Sequence, residues 1–294
     1  MEAVAPPPLE DLRAEIDRID RAILELLIER SAVVQQIGTV KADRANHRLA
    51  VRPAREAVIL RHLATLAAGR FPRAVLVRMW RELLAATTRL QTPLSVAVFT
   101  TRQQGFRTWD LARDHFGSVT PMVRVDSASQ ALRAVSDGSA TVAVVPLPND
   151  EDPWWLALIS DHHDRVRVFA RLPFVAGGVG EGEDASALAL GRLEPQPSGD
   201  DLALLAIEAE SGVSRGRLRD LLQSAGLEPV WLAAWRSPEP PQTVHLVETQ
   251  SFVHAGDERV AEVLSAARGE VLRIVPVGGY PRPLPPDDAA QARC

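Results

Sequence analysis

Hydrophobic residues near the N-terminus recur at alternating steps of three and four along the chain. This spacing has a period close to 3.5 residues and places the residues on one face of a helix. The pattern predicts one helix over residues 9–43, which at 1.5 Å per residue is roughly 50 Å long. A helix of that length is too long to be buried within a small domain, so we expect other helices to pack against its whole length. The stripe consists of Leu9, Leu12, Ile16, Ile19, Ile23, Leu26, Val33 and Ile37.

Two shorter helices follow, each with a start or stop signal. Pro53 suits the first position of a helix over 53–68, because the missing N–H of proline costs nothing there. Gly69-Arg70-Phe71-Pro72 interrupts the chain, a third helix is predicted over 73–91, and Thr92-Pro93 ends the helical part. Three helices with one over-long member predict an all-α module that dimerises by pairing its long helices across subunits.

Beyond Pro93 the pattern changes to short β-branched runs. Runs at 94–99 and 140–145 alternate with helical stretches at 107–116 and 127–137, which predicts a parallel α/β sheet. The last part predicts the βαββαβ order of a ferredoxin-like α+β unit, with strands at 202–208, 229–234, 244–249 and 271–277 and helices at 214–225 and 257–267. We therefore predict a multidomain chain: a helical domain at 1–92, an α/β region at 93–198, the βαββαβ unit at 199–285, and a loose proline-rich tail after Tyr280, with 286–294 outside any domain.

Composition narrows the class of protein. The 294 residues are 46% hydrophobic and 24% charged, which is typical of a soluble globular protein and excludes disorder over most of the length. No apolar run approaches the ~18 residues of a membrane helix. The N-terminus lacks the pattern of an export signal, so we expect a cytoplasmic protein without a membrane partner. The single cysteine, Cys294, excludes an intrachain disulfide.

Charge is shared unevenly between the two parts of the chain. Residues 1–91 hold 14 Arg and Lys41 against 11 acidic residues, whereas the remainder is acidic and the whole chain carries −5. A surplus of this size fits a small anionic ligand and is too weak to indicate nucleic acid. Of the 33 basic residues only Lys41 is a lysine. Such a lysine marks either chance or a site that requires a compact ammonium instead of a planar guanidinium.

Two cations on the long helix suggest a binding site. Arg30 falls on the apolar stripe, where a guanidinium must meet an anion, either a bound ligand or a carboxylate of another helix. Lys41 lies eleven residues later, close to three turns, so both share a face and are roughly 16 Å apart. Arg13 lies roughly 25 Å before Arg30, and only an antiparallel copy of the helix could bring it to the same small molecule.

The two shorter helices offer matching polar groups. Arg55 and Glu56 lie in the first turn of the second helix, and Thr87 and Gln91 are four residues apart on the third. Any one of them could be an ordinary solvated residue. Their occurrence together with Arg30 and Lys41 favours one site built from all three helices.

In order and spacing these residues resemble the all-helical chorismate mutases. The resemblance covers 9–91 and rests on Leu9-Glu10-Asp11-Leu12-Arg13, Ile16-Asp17, Asp20, Leu26-Leu27, Arg30, Gly38, Lys41, Arg52-Pro53, Arg55-Glu56, Thr87 and Gln91. It implies an intertwined homodimer that rearranges chorismate to prephenate without cofactor or metal. Some family members carry an acid where this chain has Arg52, so the finer contacts to the ring hydroxyl differ.

The same resemblance implies a role for each site residue. Arg13 would come from the partner subunit, while Arg30 and Arg55 would hold the two carboxylates of chorismate. Lys41 and Gln91 would hydrogen-bond the ether oxygen. Glu56 would orient the ring hydroxyl, and Thr87 would line the carboxylate pocket.

Residues 94–285 resemble the body of a prephenate dehydratase followed by its amino-acid-sensing ACT unit, but the family's motifs are altered. Gly-Thr becomes Gly105-Phe106, Pro-Ile-Glu-Asn becomes Pro146-Leu147-Pro148-Asn149, and Thr-Arg-Phe falls on Ala185-Ser186-Ala187. Without the threonine and arginine there is no evident acid or carboxylate clamp for dehydration. The effector motif Glu-Ser-Arg-Pro becomes Trp235-Arg236-Ser237-Pro238, which leaves an aromatic amino acid effector possible but unassigned.

Two further segments are not assigned to chemistry. Gly177-Gly178-Val179-Gly180-Glu181-Gly182 lacks the lysine of a phosphate loop and is followed by acids. Asp161-His162-His163-Asp164 offers metal ligands, but adjacent residues rarely converge on one ion. Three hypotheses remain: a chorismate mutase with a non-catalytic structural or regulatory body, a bifunctional mutase–dehydratase, and a non-catalytic effector-sensing dimer.

Overall fold

The computed structural model describes residues 7–42, 51–100, 106–159, 166–176, 186–237, 239 and 241–286, with the side chains of 39–42 outside the description. The chain divides into two compact units, Met1–His47 and Arg48–Cys294. The first unit is helical and the second is mixed α/β.

The first unit contains the long helix that the sequence predicts. This helix, α1, spans Leu9–Ala42, with Glu10 and Asp11 in its first turn, where their charge complements the helix dipole. Its apolar stripe is exposed: Ile16 retains 58% of its accessible surface and Leu26 63%. An exposed apolar stripe of this kind is typical of an interaction surface.

The second unit begins with two helices that pack on the rest of the unit. Helix α2 spans Pro53–Leu66, with proline at its first turn as predicted, and α3 spans Arg73–Arg89. Residues of both helices form an apolar cluster with a chain segment near residue 174; the cluster consists of Ala57, Leu60, Val77, Phe174 and Val175. The change from helical to α/β elements at residue 92, on which the predicted domain boundary rests, thus lies inside this compact unit.

In the described part of the second unit, nine strands form a single mixed sheet at the core. Its strands are β1 (Val96–Phe99), β2 (Met122–Val125), β3 (Val142–Pro146), β4 (Arg167–Leu172), β5 (Ala187–Gly191), β6 (Asp201–Glu210), β7 (Pro229–Ser237), β8 (Gln242–Thr249) and β9 (Val271–Pro281). The helices between them are α4 (Arg107–Phe116), α5 (Ala128–Ser136), a 3-10 helix (Trp154–Ile159), α6 (Arg215–Ser224) and α7 (Glu258–Ala266). The strand order is β2-β1-β3-β5-β4-β9-β6-β8-β7.

The prediction of a parallel sheet for the first half is only partly correct. Strand β1 pairs in parallel with β2 and β3 through the predicted helical crossovers. Strand β5, however, pairs antiparallel with both β3 and β4. All five residues of β5 are buried, and a fully buried run has no periodicity that indicates strand direction.

The second half confirms the predicted βαββαβ unit. Its four strands are ordered β9-β6-β8-β7 and are antiparallel, as a ferredoxin-like unit requires. The two halves of the sheet meet where β4 runs parallel to β9, at Val168 and Gly278. A Cβ at Gly278, whose φ is +154°, would lie 2.3 Å from the carbonyl oxygen of Val168, so this junction requires glycine.

The expectation of a loose tail after Tyr280 is wrong for the part that the structure describes. Strand β9 continues to Pro281, and the amide of Leu284 then donates to the carbonyl of Phe174 at 2.7 Å. The guanidinium of Arg73 donates to the carbonyl of Pro285 at 2.8 Å. Proline lacks a donor N–H but keeps its carbonyl, so this segment is held by the amide and carbonyl of Leu284 and by proline carbonyls. Residues 287–294 lie outside the described residues.

Candidate active site

Three of the predicted site residues lie on α1. Arg13 is exposed and Arg30 is half-buried, in agreement with a position at the edge of the apolar stripe. Lys41 lies in the last turn of the helix, and its side chain is outside the description. The eleven-residue separation of Arg30 and Lys41 inside one continuous helix keeps the two on one face, as predicted.

The guanidinium of Arg30 is not fully hydrogen-bonded within the described residues. Its Nη1 is buried and has no hydrogen-bond partner among the residues that the structure describes. Burial lowers the pKa of the guanidinium from its ordinary value. No carboxylate of the described residues bonds this nitrogen, and either an external anion or a carboxylate of another helix would satisfy it.

The first turn of α2 places Arg55 and Glu56 in different surroundings. Arg55 is exposed, whereas the side chain of Glu56 is 12% exposed. Oε2 of Glu56 accepts a hydrogen bond from Nη1 of Arg81 at 2.7 Å, and Oε1 accepts one from the amide of Arg52 at 3.2 Å. Glu56 is therefore fixed by two donors and not free in solvent.

Arg81 is the residue that sequence reasoning missed. It lies on the buried face of α3 with Leu76, Val77, Leu84 and Ala85, and its side chain is 6% exposed. The criterion that selected Arg30, a cation at an apolar position of a helical stripe, selects Arg81 equally well. It could have been found by applying that criterion to the third helix.

The surroundings of Arg81 add an aromatic ring and an imidazole. The guanidinium carbon lies 5.1 Å from the ring centroid of Phe174, a cation–π contact. Burial, and secondarily the charge of Arg81, hold the pKa of His115 well below its usual value. Burial also lowers the pKa of Arg81, because its desolvation outweighs the stabilising charge and hydrogen bond of Glu56.

The C-terminal end of α3 carries Thr87 and Gln91. Thr87 is buried, and its hydroxyl lies 2.9 Å from the carbonyl oxygen of Leu83, to which it donates. The third helix ends at Arg89, two residues earlier than predicted, so half-buried Gln91 lies in the turn that follows. The structure thus places Arg55, Glu56, Thr87 and Gln91 in the second compact unit, whereas Arg13, Arg30 and Lys41 belong to the first.

The guanidinium of Arg61 connects α2 to the C-terminal half of the sheet. Its Nη1 donates to the hydroxyl of Ser198 at 2.9 Å, and its Nη2 donates to the carbonyls of Asp200 at 2.6 Å and Arg282 at 3.1 Å. Hydrogen bonds to backbone carbonyls fix orientation without requiring a matching side chain. The orientation of α2, and with it of Glu56, therefore depends on the loop before β6 and the segment after β9.

The altered dehydratase motifs lie partly within the described residues. Asn149, after β3, accepts hydrogen bonds from the amides of Glu151 at 3.0 Å and Asp152 at 2.8 Å, which is a turn and not a binding arrangement. Trp235 and Arg236 lie in β7 near its end. Ala187 begins β5, while Ala185 and Gly105 are outside the described residues.

No group of three or more potential metal ligands of the His, Cys, Asp and Glu types occurs in the described ranges. The segments 161–164 and 177–182 fall outside those ranges. Among the helices of the described chain, none is both long and apolar enough to cross a membrane.

Comparison with known proteins gives matches to the helical module and beyond it. Residues 12–92 match the family model of chorismate mutase type II. The bifunctional chorismate mutase/prephenate dehydratase of Pseudomonas aeruginosa is 33% identical over 150 residues, covering 49% of this chain and 40% of that protein. The protein of the same description from Aquifex aeolicus is 32% identical over 145 residues, covering 48% and 39%. The matched segment therefore spans about two fifths of each relative, and it extends past residue 92 into the α/β body.

Solved structures are less similar to this chain than the sequence relatives are. A prephenate dehydratase from Arthrobacter aurescens in complex with L-Phe has a TM-score of 0.46 at 13% identity and covers 64% of this chain and 90% of that one. GqqA, described as a novel type of quorum quenching acylase, has a TM-score of 0.46 at 14% identity and covers 64% and 94%. The family match and the sequence relatives agree: residues 12–92 are similar to the type II chorismate mutases, and a mixed α/β body follows them.

Proposed function

We propose that the protein is a chorismate mutase that converts chorismate to prephenate in aromatic amino acid biosynthesis. The observation that carries this proposal is the match of residues 12–92 to the type II chorismate mutases, because that span contains all seven predicted site residues. The partnerless Nη1 of Arg30 supports it further, since a buried guanidinium without a carboxylate partner suits a dianionic substrate.

The proposed chemistry needs positioning and charge, and no cofactor. The rearrangement is intramolecular, so the site must hold the dianion in a compact conformer and stabilise the negative charge that develops on the ether oxygen. Arg30 and Arg55 would bind the carboxylates bidentately. Lys41 would place a compact ammonium at the ether oxygen, assisted by Gln91, and Thr87 would line the carboxylate pocket.

Glu56 would orient the ring hydroxyl of the substrate, with Arg81 as its positioning residue. A carboxylate offers about four acceptor positions. Two of those of Glu56 accept from Arg81 and Arg52. The remainder suffice for one substrate hydroxyl.

The test follows the ultraviolet absorbance of chorismate with the full-length protein. We expect rapid loss with the wild type and a fall in rate of about 10²–10³-fold for Lys41→Ala, the size seen when a donor to a developing oxyanion is removed. Arg18→Ala is the matched control, because Arg18 is an exposed cation of the same helix that pairs with Glu15 at 2.6 Å. Absence of chorismate loss in the wild type would refute the proposal and favour the non-catalytic dimer.

The product distinguishes the two enzymatic alternatives. Prephenate forms phenylpyruvate on acidification, so a mutase alone gives phenylpyruvate only after acid is added. Phenylpyruvate before acidification would favour the bifunctional alternative, in which the substituted body still dehydrates. We favour a structural or regulatory body, and binding of an aromatic amino acid effector to its C-terminal unit stays a prediction.

We further propose a homodimer in which each active site receives Arg13 from the partner. The exposed stripe of α1 supports this, as do exposed apolar residues on α2 and α3, which include Val58, Leu66, Val75 and Met79. Co-expressed Arg13→Ala and Lys41→Ala chains provide the test. If Arg13 crosses between subunits, half of the dimers are mixed and each has one intact site, so about a quarter of wild-type activity returns. If each chain uses its own Arg13, every site keeps one defect and no activity returns.

A further inference from the structure

A cavity of about 350 Å³ lies between α3, α4 and the segment 173–175, all within the second compact unit. Its walls are largely apolar and include Val77, Leu111 and Phe174. Two charged residues of the lining, Arg78 and Asp114, form an exposed ion pair and mark the solvent side. This volume is at the lower end of the range of small-molecule sites.

Two buried polar side chains, Arg81 and His115, also line the cavity. The guanidinium of Arg81 has five donor hydrogens. Its Nη1 donates to Glu56, whereas its buried Nε has no hydrogen-bond partner among the described residues. His115 is neutral near pH 7, because burial lowers its pKa, and so it adds no second charge. The wall therefore contains a cation that a single carboxylate satisfies only in part.

We propose that this cavity is a second binding site of the chain, for a small monocarboxylate with an apolar body. The carboxylate would bind the guanidinium of Arg81 and the apolar body would contact Val77, Leu111 and Phe174. A monocarboxylate fits better than a dianion because Arg78 and Asp114 of the lining neutralise each other, which leaves the open donor of Arg81 to bind one carboxylate. This site differs from the proposed mutase site, since none of the seven mutase residues lines the cavity.

A ligand in this cavity would affect the mutase site, because Arg81 lines the cavity and also holds Glu56. A second cavity of about 10 Å³ is lined by Glu56 and also by Arg81, His115 and Phe174, which line the larger cavity too. A ligand carboxylate on Arg81 competes with Glu56 for the same cation. We expect it to raise the KM for chorismate, because Glu56 would no longer be held in place. This consequence rests on the proposed mutase activity, whereas binding of the monocarboxylate does not.

The experiment is calorimetric titration of the full-length protein with 3-phenylpropanoate and, separately, with the uncharged 3-phenylpropanamide. We expect saturable binding of the acid at millimolar concentration or below, which is ordinary for a ligand of this size. The amide should bind about tenfold more weakly or not at all, because it loses the charge-assisted hydrogen bond. Equal affinity of acid and amide, or no saturable binding of the acid up to about 10 mM, would overturn the proposal.

A matched pair of variants locates the binding. Ala74 lines the cavity from the first turn of α3 and is exposed, so Ala74→Trp should fill the cavity and weaken binding about tenfold or more. Ala86 is an exposed alanine of the same helix outside the lining, and Ala86→Trp should leave the affinity unchanged. Unchanged affinity in Ala74→Trp overturns the location. If 3-phenylpropanoate still raises the KM for chorismate in Ala74→Trp, it competes directly at the mutase site, and this result overturns the coupling through Arg81.

Discussion

Removal of the positive charge of Arg81 should destabilise the second compact unit strongly. In Arg81→Met the side chain keeps its length and can still contact Phe174, but Glu56 loses its cation. The side chains of the pair are 6% and 12% exposed, so the carboxylate left behind would remain largely buried. A buried charge without its partner costs about 3–5 kcal/mol, and we expect a loss of that size in the free energy of unfolding.

The chain offers a control with the same geometry at the surface. Arg217 and Glu270 are also 2.7 Å apart, but their side chains are 45% and 43% exposed. Solvent screens such a pair, so Arg217→Met should cost about 0.2–1 kcal/mol. The comparison isolates burial, because residue type, distance and substitution are the same.

Urea unfolding of the full-length protein, followed by circular dichroism, measures both variants. The double variant Glu56→Gln, Arg81→Met completes the cycle and should lose less stability than the two single variants together, with a coupling of about 1–3 kcal/mol. If Arg81→Met costs no more than Arg217→Met, the ion pair is not buried in solution and the account of how Glu56 is positioned is wrong.

Two further predictions concern the sheet. Burial, and secondarily the charges of Arg215 and Arg236, lower the pKa of His245 from 6.5 to about 4. The contribution of this histidine to the free energy of unfolding, about 3 kcal/mol at most, is therefore present above pH 6.5 and is lost as the pH falls towards 4. Urea midpoints between pH 7 and 4 should therefore fall less for His245→Phe than for the wild type, and parallel curves would contradict this assignment. Gly278→Ala should lower the free energy of unfolding by about 2–4 kcal/mol, because the new Cβ would clash with the backbone of Val168. Gly212 has open space around it and an ordinary φ, so Gly212→Ala should be nearly neutral in the same unfolding assay.

The sequence predicts the helices well because their signals are local. The predicted bounds 107–116 for α4 agree with the structure, and α1 begins at Leu9 as predicted and continues to Ala42, the last described residue before the gap. Strand direction is not local: the antiparallel pairing of β5 with β3 and β4 depends on the path of residues 147–186, which no residue of β5 encodes. The loose tail was a wrong prediction for a related reason, since proline content indicates poor donors but does not show which amides of the 173–176 segment need acceptors.

The candidate site was predictable as a set of residue types and not as a geometry. The repeat of α1 identifies Arg30 as a cation on an apolar face, and its partnerless Nη1 agrees with that. The sequence does not predict the hydrogen bond that holds Glu56 in place, because its donor Arg81 is 25 residues away on another helix. The relation of Arg30 and Lys41 to Glu56 and Gln91 stays a prediction.

The packing of α2 and α3 suggests why a body without dehydratase motifs persists in this chain. Ala57 and Leu60 of α2 are fully buried in a cluster with Phe174 and Val175 of the body, and Arg61 of the same helix donates to Ser198, Asp200 and Arg282. Loss of the body would expose that apolar surface and leave a half-buried guanidinium without its acceptors, which are costs of several kcal/mol. Selection for the fold of α2 and α3 would then retain the sheet whether or not the body has a catalytic role. Substitutions at exposed Asn149 should therefore be tolerated by mutase activity, whereas substitutions at Arg61 should not.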